Sequence, residues 1–123
     1  MIIEDDPDFR TTLSNLLCER FPTLVLKEVG SGEEAVAILP VFSPDLVVTD
    51  IKLPGESGLW VTQRIREADP EVPVLVLTSY NDLEYEEAAY AAGATRFASK
   101  HETTADEILW LVGSLMPETP CNA

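Results

Sequence analysis

Leu46-Val47-Val48-Thr49-Asp50-Ile51-Lys52-Leu53-Pro54-Gly55 decides how the chain is read: an apolar, β-branched run stops on a carboxylate and passes into a loop. A run without polar alternation suits a strand covered on both faces, as in a parallel sheet. Val72–Leu77, interrupted only by Pro73, has the same character. Met1–Ile3, Leu24–Glu28 and Thr95–Ala98 complete a set of five strands, and the alternation in Leu24–Glu28 marks it as an edge.

Apolar residues at helical spacing fill the intervals. They are Phe9, Leu13, Leu16, Leu17 and Phe21; then Ala35, Val36, Ile38 and Leu39; then Leu59, Val61 and Ile65; then Leu83, Ala88, Ala89 and Ala92; and last Ile108, Leu109, Leu111, Val112 and Leu115. Asp6-Pro7 reads as an N-cap followed by proline at the first helical position. Ser31–Glu34 and Thr104–Glu107 read as capping boxes, Asn81-Asp82 opens the fourth helix, and Gly93 closes it. Parallel strands need helical crossovers, so five β–α units close as a doubly wound (βα)₅ sheet.

The chain has 123 residues, enough for one domain, and 46% hydrophobic residues, enough for a core. Its 22 acidic residues against 8 Lys and Arg leave a net charge of −14. That balance argues against direct binding of nucleic acid or an anionic membrane, and favours basic partners and divalent cations. No apolar run approaches the ~20 residues of a membrane span, the first residues do not read as a signal peptide, and Cys18 and Cys121 form no disulfide or metal pattern. A cytoplasmic protein is expected. Cys18 is expected in the core, Cys121 in an exposed, polar tail over Pro117–Ala123. Trp60 and Trp110 are expected to point outward from their helices.

In an open parallel sheet, ligands bind beyond the carboxyl ends of the strands. Those ends carry Glu4-Asp5-Asp6, Asp50, Thr78-Ser79 and Ser99-Lys100. Crowded carboxylates favour a hard divalent cation such as Mg²⁺, which recruits phosphate oxygens. Lys100 can add a charge and Thr78 a hydrogen bond to the same phosphate. Asp50 is the candidate nucleophile, since a carboxylate can accept a phosphoryl group. The residues thus point to Mg²⁺-dependent phosphoryl transfer onto Asp50.

Taken together, Ile2–Asp6, Asp50–Gly58, Leu77–Tyr80, Ala92–Ala94 and Phe97–Lys100 resemble the receiver domain of two-component response regulators. The resemblance implies a flavodoxin-like (CheY-like) sheet of order 2-1-3-4-5, with the receiver spanning 1–116 and the tail 117–123. It implies that Asp50 accepts phosphate from a histidine kinase or a histidine phosphotransfer protein. Asp5 and Asp50 would hold Mg²⁺ directly, with the Lys52 backbone carbonyl, and Glu4 through water. Thr78 and Lys100 would hold the phosphoryl oxygens, Thr78 and Phe97 would form the switch, and Lys52 and Tyr80 would tune hydrolysis. Tyr90 and Trp110 would lie on the output face, where phosphorylation could pair two copies. The sequence departs from the family pattern at His101, since most receivers place a cis proline after the strand-5 lysine. Two rivals fit less well. An aspartate-nucleophile phosphatase carries a second Asp where Lys52 stands, and Glu4-Asp5-Asp6 would repel the phosphate of a flavodoxin-like FMN module.

Overall fold

A computed structural model describes residues 1–80 and 82–116 of the chain. Strands β1 (Ile2–Ile3), β2 (Glu28–Val29), β3 (Val47–Thr49), β4 (Val74–Thr78) and β5 (Arg96–Ser99) alternate with helices α1 (Pro7–Arg20), α2 (Gly32–Ile38), α3 (Gly58–Ala68), α4 (Leu83–Ala92) and α5 (Ala105–Leu115). All pairings are parallel, in the order β2-β1-β3-β4-β5, the doubly wound sheet expected.

Side-chain alternation along each strand divides the core between two faces. Val74 and Val76 point toward Ala35, Val61, Ile65 and Ala89 of α2, α3 and α4. Leu75 and Leu77 point the other way, toward Leu13 and Leu17 of α1 and Ile108 and Val112 of α5. The starts of α1 and α5 carry the expected chemistry, whereas Asp82 begins α4 without a side-chain cap bond. Asp6 accepts from the amides of Asp8 and Phe9, and Thr104 and Glu107 form a complete capping box. The box expected at Ser31–Glu34 is only half made: Ser31 accepts from the Glu34 amide, and no return bond from the Glu34 side chain is formed. Gly93 ends α4 at φ 112°, a left-handed conformation that side chains disfavour.

Several expectations are corrected. The second strand is not Leu24–Glu28 but Glu28–Val29, because its only neighbour, β1, is two residues long and offers no further ladder partners. Leu24 and Leu26 still join the α1/α5 core through their side chains. The fourth strand starts at Val74 rather than Val72, after Pro73, which has no N–H to donate. Leu83 is 67% exposed. It lies nine residues before the buried Ala92, and at about 100° per residue that is the opposite side of α4. Cys18 is exposed, one step around α1 from Leu17. Trp60 is half-buried and packs against the α2/α3/α4 core, with the Arg64 guanidinium 5.6 Å from its ring centroid. Trp110, 71% exposed, does point outward. Asn81, the tail from Pro117 and Cys121 lie outside the described residues. Among the described residues there is no cis peptide bond and no helix long and apolar enough to cross a membrane.

Candidate phosphoryl-transfer site

Strand order reverses between β1 and β3, which places the crevice of the sheet beyond their carboxyl ends. Ile3 is in register with Thr49, and the Asp50 amide donates to the Ile3 carbonyl at 3.1 Å. Glu4 and Asp50, the next residue on each strand, therefore emerge side by side. Both are buried, at 2% and 7% exposure, whereas the neighbouring Asp5 is exposed. Carboxylate oxygens of Glu4, Asp5 and Asp50 lie within 4.8 Å of one another.

Lys100 crosses to this cluster from the end of β5, where its amide donates to the Thr78 carbonyl at 2.8 Å. Its ammonium donates to Glu4 Oε1 at 2.6 Å and Asp50 Oδ2 at 2.9 Å. The other Asp50 oxygen, Oδ1, accepts the Ile51 amide at 2.6 Å. Both oxygens of Asp50 thus have a donor, which orients the carboxylate.

The electrostatics come from burial. Desolvation pushes the Glu4 carboxyl above its ordinary value, and the Asp50 charge adds to that; the hydrogen bonds from Lys100 and the Asp6 amide oppose it without cancelling it. For Lys100, burial acts to lower the ammonium, but its bonds and charges with Glu4 and Asp50 outweigh it and hold the group above the usual lysine value. Three carboxylates facing one ammonium leave an excess of negative charge that one divalent cation would neutralise. Oxygen ligands alone suit Mg²⁺.

Thr78 is fully buried at the end of β4, and its hydroxyl accepts the Tyr80 amide at 3.3 Å rather than joining the carboxylates. Phe97, on β5, is half-buried against the α2/α3/α4 core. The Lys52 ammonium lies 5.3 Å from the Tyr80 ring centroid and 5.5 Å from that of Tyr85, and the two rings are themselves 5.5 Å apart. An aromatic bracket therefore joins the loop after Asp50 to the start of α4.

Three residues of this neighbourhood were not legible as such in the sequence. The Phe9 ring, read only as part of the α1 core stripe, sits 4.3 Å from the Lys100 ammonium. Arg10 donates to the Glu4 carbonyl at 2.7 Å. Tyr85 is the second ring over Lys52. The position of Phe9, three residues past the cap of the helix that leaves the acidic strand end, was the one available signal for it.

The response regulator receiver domain family matches residues 1–111. Among curated relatives, the transcriptional activator protein ExaE of Pseudomonas putida is 38% identical over 81% of this chain and 47% of its own length. The photosynthetic apparatus regulatory protein RegA of Rhodobacter capsulatus is 32% identical over 99% of this chain and 66% of its own. Among solved structures, a two-component response regulator of the LuxR family from Aurantimonas sp. SI85-9A1 superposes with a TM-score of 0.83 at 27% identity, covering 98% of this chain and 89% of that one. The BeF3-activated DrrB receiver domain gives 0.83 at 25% identity, covering 93% and 92%. The chain spans about half the length of the first curated relatives it matches.

Proposed function

The chain belongs to the response regulator receiver family, a family of signalling phosphoacceptors, and on that premise we propose that Asp50 is its phosphoacceptor. The observation that carries the assignment is the Lys100 ammonium bound at once to Asp50 and Glu4 beside Asp5, a cation and an oriented nucleophile in one acidic crevice.

In this reading a phosphohistidine on a sensor histidine kinase or a histidine phosphotransfer protein is the donor. An Asp50 oxygen attacks phosphorus in line as the P–N bond breaks, and the imidazole leaves with the bonding pair. Asp5, Asp50 and the Lys52 carbonyl would hold Mg²⁺, with Glu4 acting through water; the metal would supply positive charge to the phosphoryl oxygens. Lys100 carries part of that charge, and the Thr78 hydroxyl, which accepts from the Tyr80 amide, donates its proton to a phosphoryl oxygen. The new group bears about two negative charges and draws Thr78 and Lys100 toward itself, biasing Phe97 and the output surface. Lys52 and Tyr80 govern water access and so the phosphate lifetime.

The receiver comprises 1–116, followed by the short tail 117–123. It works in the cytoplasm, catalyses only its own phosphorylation and dephosphorylation, and pairs with a second copy when phosphorylated. Lys52 in place of a general-acid Asp weighs against turnover of outside phosphate esters. The test is labelling with acetyl phosphate and Mg²⁺. The expected result is one acid-labile phosphoryl group per chain, lost in Asp50→Asn without loss of fold. Undiminished labelling of that variant would move the acceptor elsewhere.

A further inference from the structure

Lys100 has to span a long way. It leaves the edge strand β5, passes β4, and reaches carboxylates at the ends of β3 and β1. At about 4.8 Å per strand, that reach must be held by a flexible four-carbon stem with several rotatable bonds. Glu4 and Asp50 direct the ammonium in the unmodified protein. Phosphoryl transfer changes one of these partners, since an Asp50 oxygen becomes bonded to phosphorus and the carboxylate charge is lost.

Glu4 keeps its place, and the third contact of the ammonium is the Phe9 ring, 4.3 Å away. Its place is set by α1 itself, where Pro7 opens the helix and Asp6 caps the amides of Asp8 and Phe9. The negative face of an aromatic ring attracts a cation without demanding a hydrogen-bond direction, and the attraction strengthens where water is excluded. The Lys100 side chain is only 10% exposed. Such a contact persists while the ammonium trades a carboxylate oxygen for a phosphoryl oxygen.

We propose that Phe9 is a positioning residue for phosphoryl transfer: its ring holds the Lys100 ammonium over the acceptor carboxylate through the change of partners. The proposal rests on Asp50 being the acceptor. Its test is the rate of acetyl phosphate labelling with Mg²⁺ in the full chain, with 3,4,5-trifluorophenylalanine placed at position 9. Fluorination cancels the negative ring face while keeping nearly the same size and apolarity, so a purely packing role would not respond to it. The labelling rate is expected to fall roughly three- to thirty-fold, equivalent to about 0.7–2 kcal/mol at 1.36 kcal/mol per tenfold. Phe9→Tyr, which keeps the face, should stay near the unmodified rate. In a Lys100→Met background the fluorine effect should vanish. An unchanged rate on fluorination, or a fluorine effect that survives Lys100→Met, overturns the role of Phe9 while leaving Asp50 as acceptor. Label on the unmodified protein at a residue other than Asp50 overturns the underlying assignment and this one with it.

Discussion

The carbonyl of Asp50 occupies the space that a β-carbon on Gly58 would need. The Gly58 amide also donates to the Ile51 carbonyl at 2.8 Å, so the first residue of α3 is tied to the loop after Asp50 on two sides. The obstructing atom is backbone, which cannot rotate away as a side chain could. Gly58→Ala is therefore expected to displace the loop after Asp50, destabilising the fold by about 2–3 kcal/mol as an overpacked core site does. It should also slow phosphorylation well beyond what that stability loss explains. Urea denaturation and acetyl phosphate labelling check both; wild-type labelling kinetics would show that the loop tolerates the shift.

Lys100→Met leaves Glu4 and Asp50 buried without their shared cation. Removing one partner of a buried pair destabilises by about 3 kcal/mol. Lys100 has a raised folded value, so its stabilisation is fully present below the ordinary lysine value and is lost as pH rises through the folded one. At neutral pH the variant should thus show nearly the whole effect. Adding Glu4→Gln should recover part of it, because a neutral amide tolerates burial better than an unpaired carboxylate. A double-mutant cycle in urea with no coupling would contradict the paired geometry.

In the proposed Mg²⁺ site, Glu4 would make metal binding pH-dependent. Burial raises its carboxyl, so its protonated form stabilises the fold below the ordinary value of 4.5, and that contribution disappears as pH rises through the raised folded value. Mg²⁺ favours the carboxylate and competes with the proton. The rise in Tm on adding Mg²⁺ is expected to be larger at pH 8 than at pH 5, and Asp5→Asn should abolish most of it at both. A ligand at a hundred times its Kd stabilises by about 2.7 kcal/mol, well within reach of a thermal scan. Equal gains at the two pH values would remove Glu4 from the site.

Arg66 joins the far ends of α3 and α4. It donates to the Gly93 carbonyl at 2.8 Å, to Thr95 Oγ1 at 3.3 Å and to the Asp69 carbonyl at 3.2 Å. Arg66→Met keeps much of the stem and loses the donors, which should reduce stability by about 1–2 kcal/mol. Gly93→Ala is expected to do at least as much harm, since it strains a left-handed residue and meets the Arg66 stem. Both variants should retain labelling at Asp50, because the join lies away from the carboxyl ends of the strands. Calorimetry alongside labelling separates the two effects.

The two tryptophans should be distinguishable in solution. Trp110 is exposed on α5, while Trp60 is half-buried against the core and the Arg64 guanidinium. Acrylamide is expected to quench the Trp60→Phe protein, which reports Trp110, more strongly than the Trp110→Phe protein. The reverse order would exchange the two environments.

Much of the fold was written locally. The apolar runs Val47–Thr49 and Val74–Thr78, the cap at Asp6, the box from Thr104 to Glu107 and the left-handed Gly93 each depend on residues a few positions apart. The residues at the strand ends were enough to nominate Glu4, Asp5, Asp50, Thr78 and Lys100, because a parallel sheet carries all its carboxyl ends to one rim. Local pattern failed where a neighbour decides. Leu24–Lys27 has strand character but no partner beyond the two residues of β1, and Leu83 has an apolar side chain but the wrong azimuth on α4.

Chemical identity and order along the chain therefore determined the architecture and the set of candidate groups. Distances between residues far apart in sequence belonged to the tertiary structure alone: Lys100 bound to Glu4 and Asp50, Phe9 beneath its ammonium, and Tyr80 and Tyr85 around Lys52. The physical reason is one of range. Caps, turns and periodicity act over a few residues of backbone, whereas an ion pair or a ring–cation contact exists only after the sheet has brought separate strand ends together and excluded water from between them.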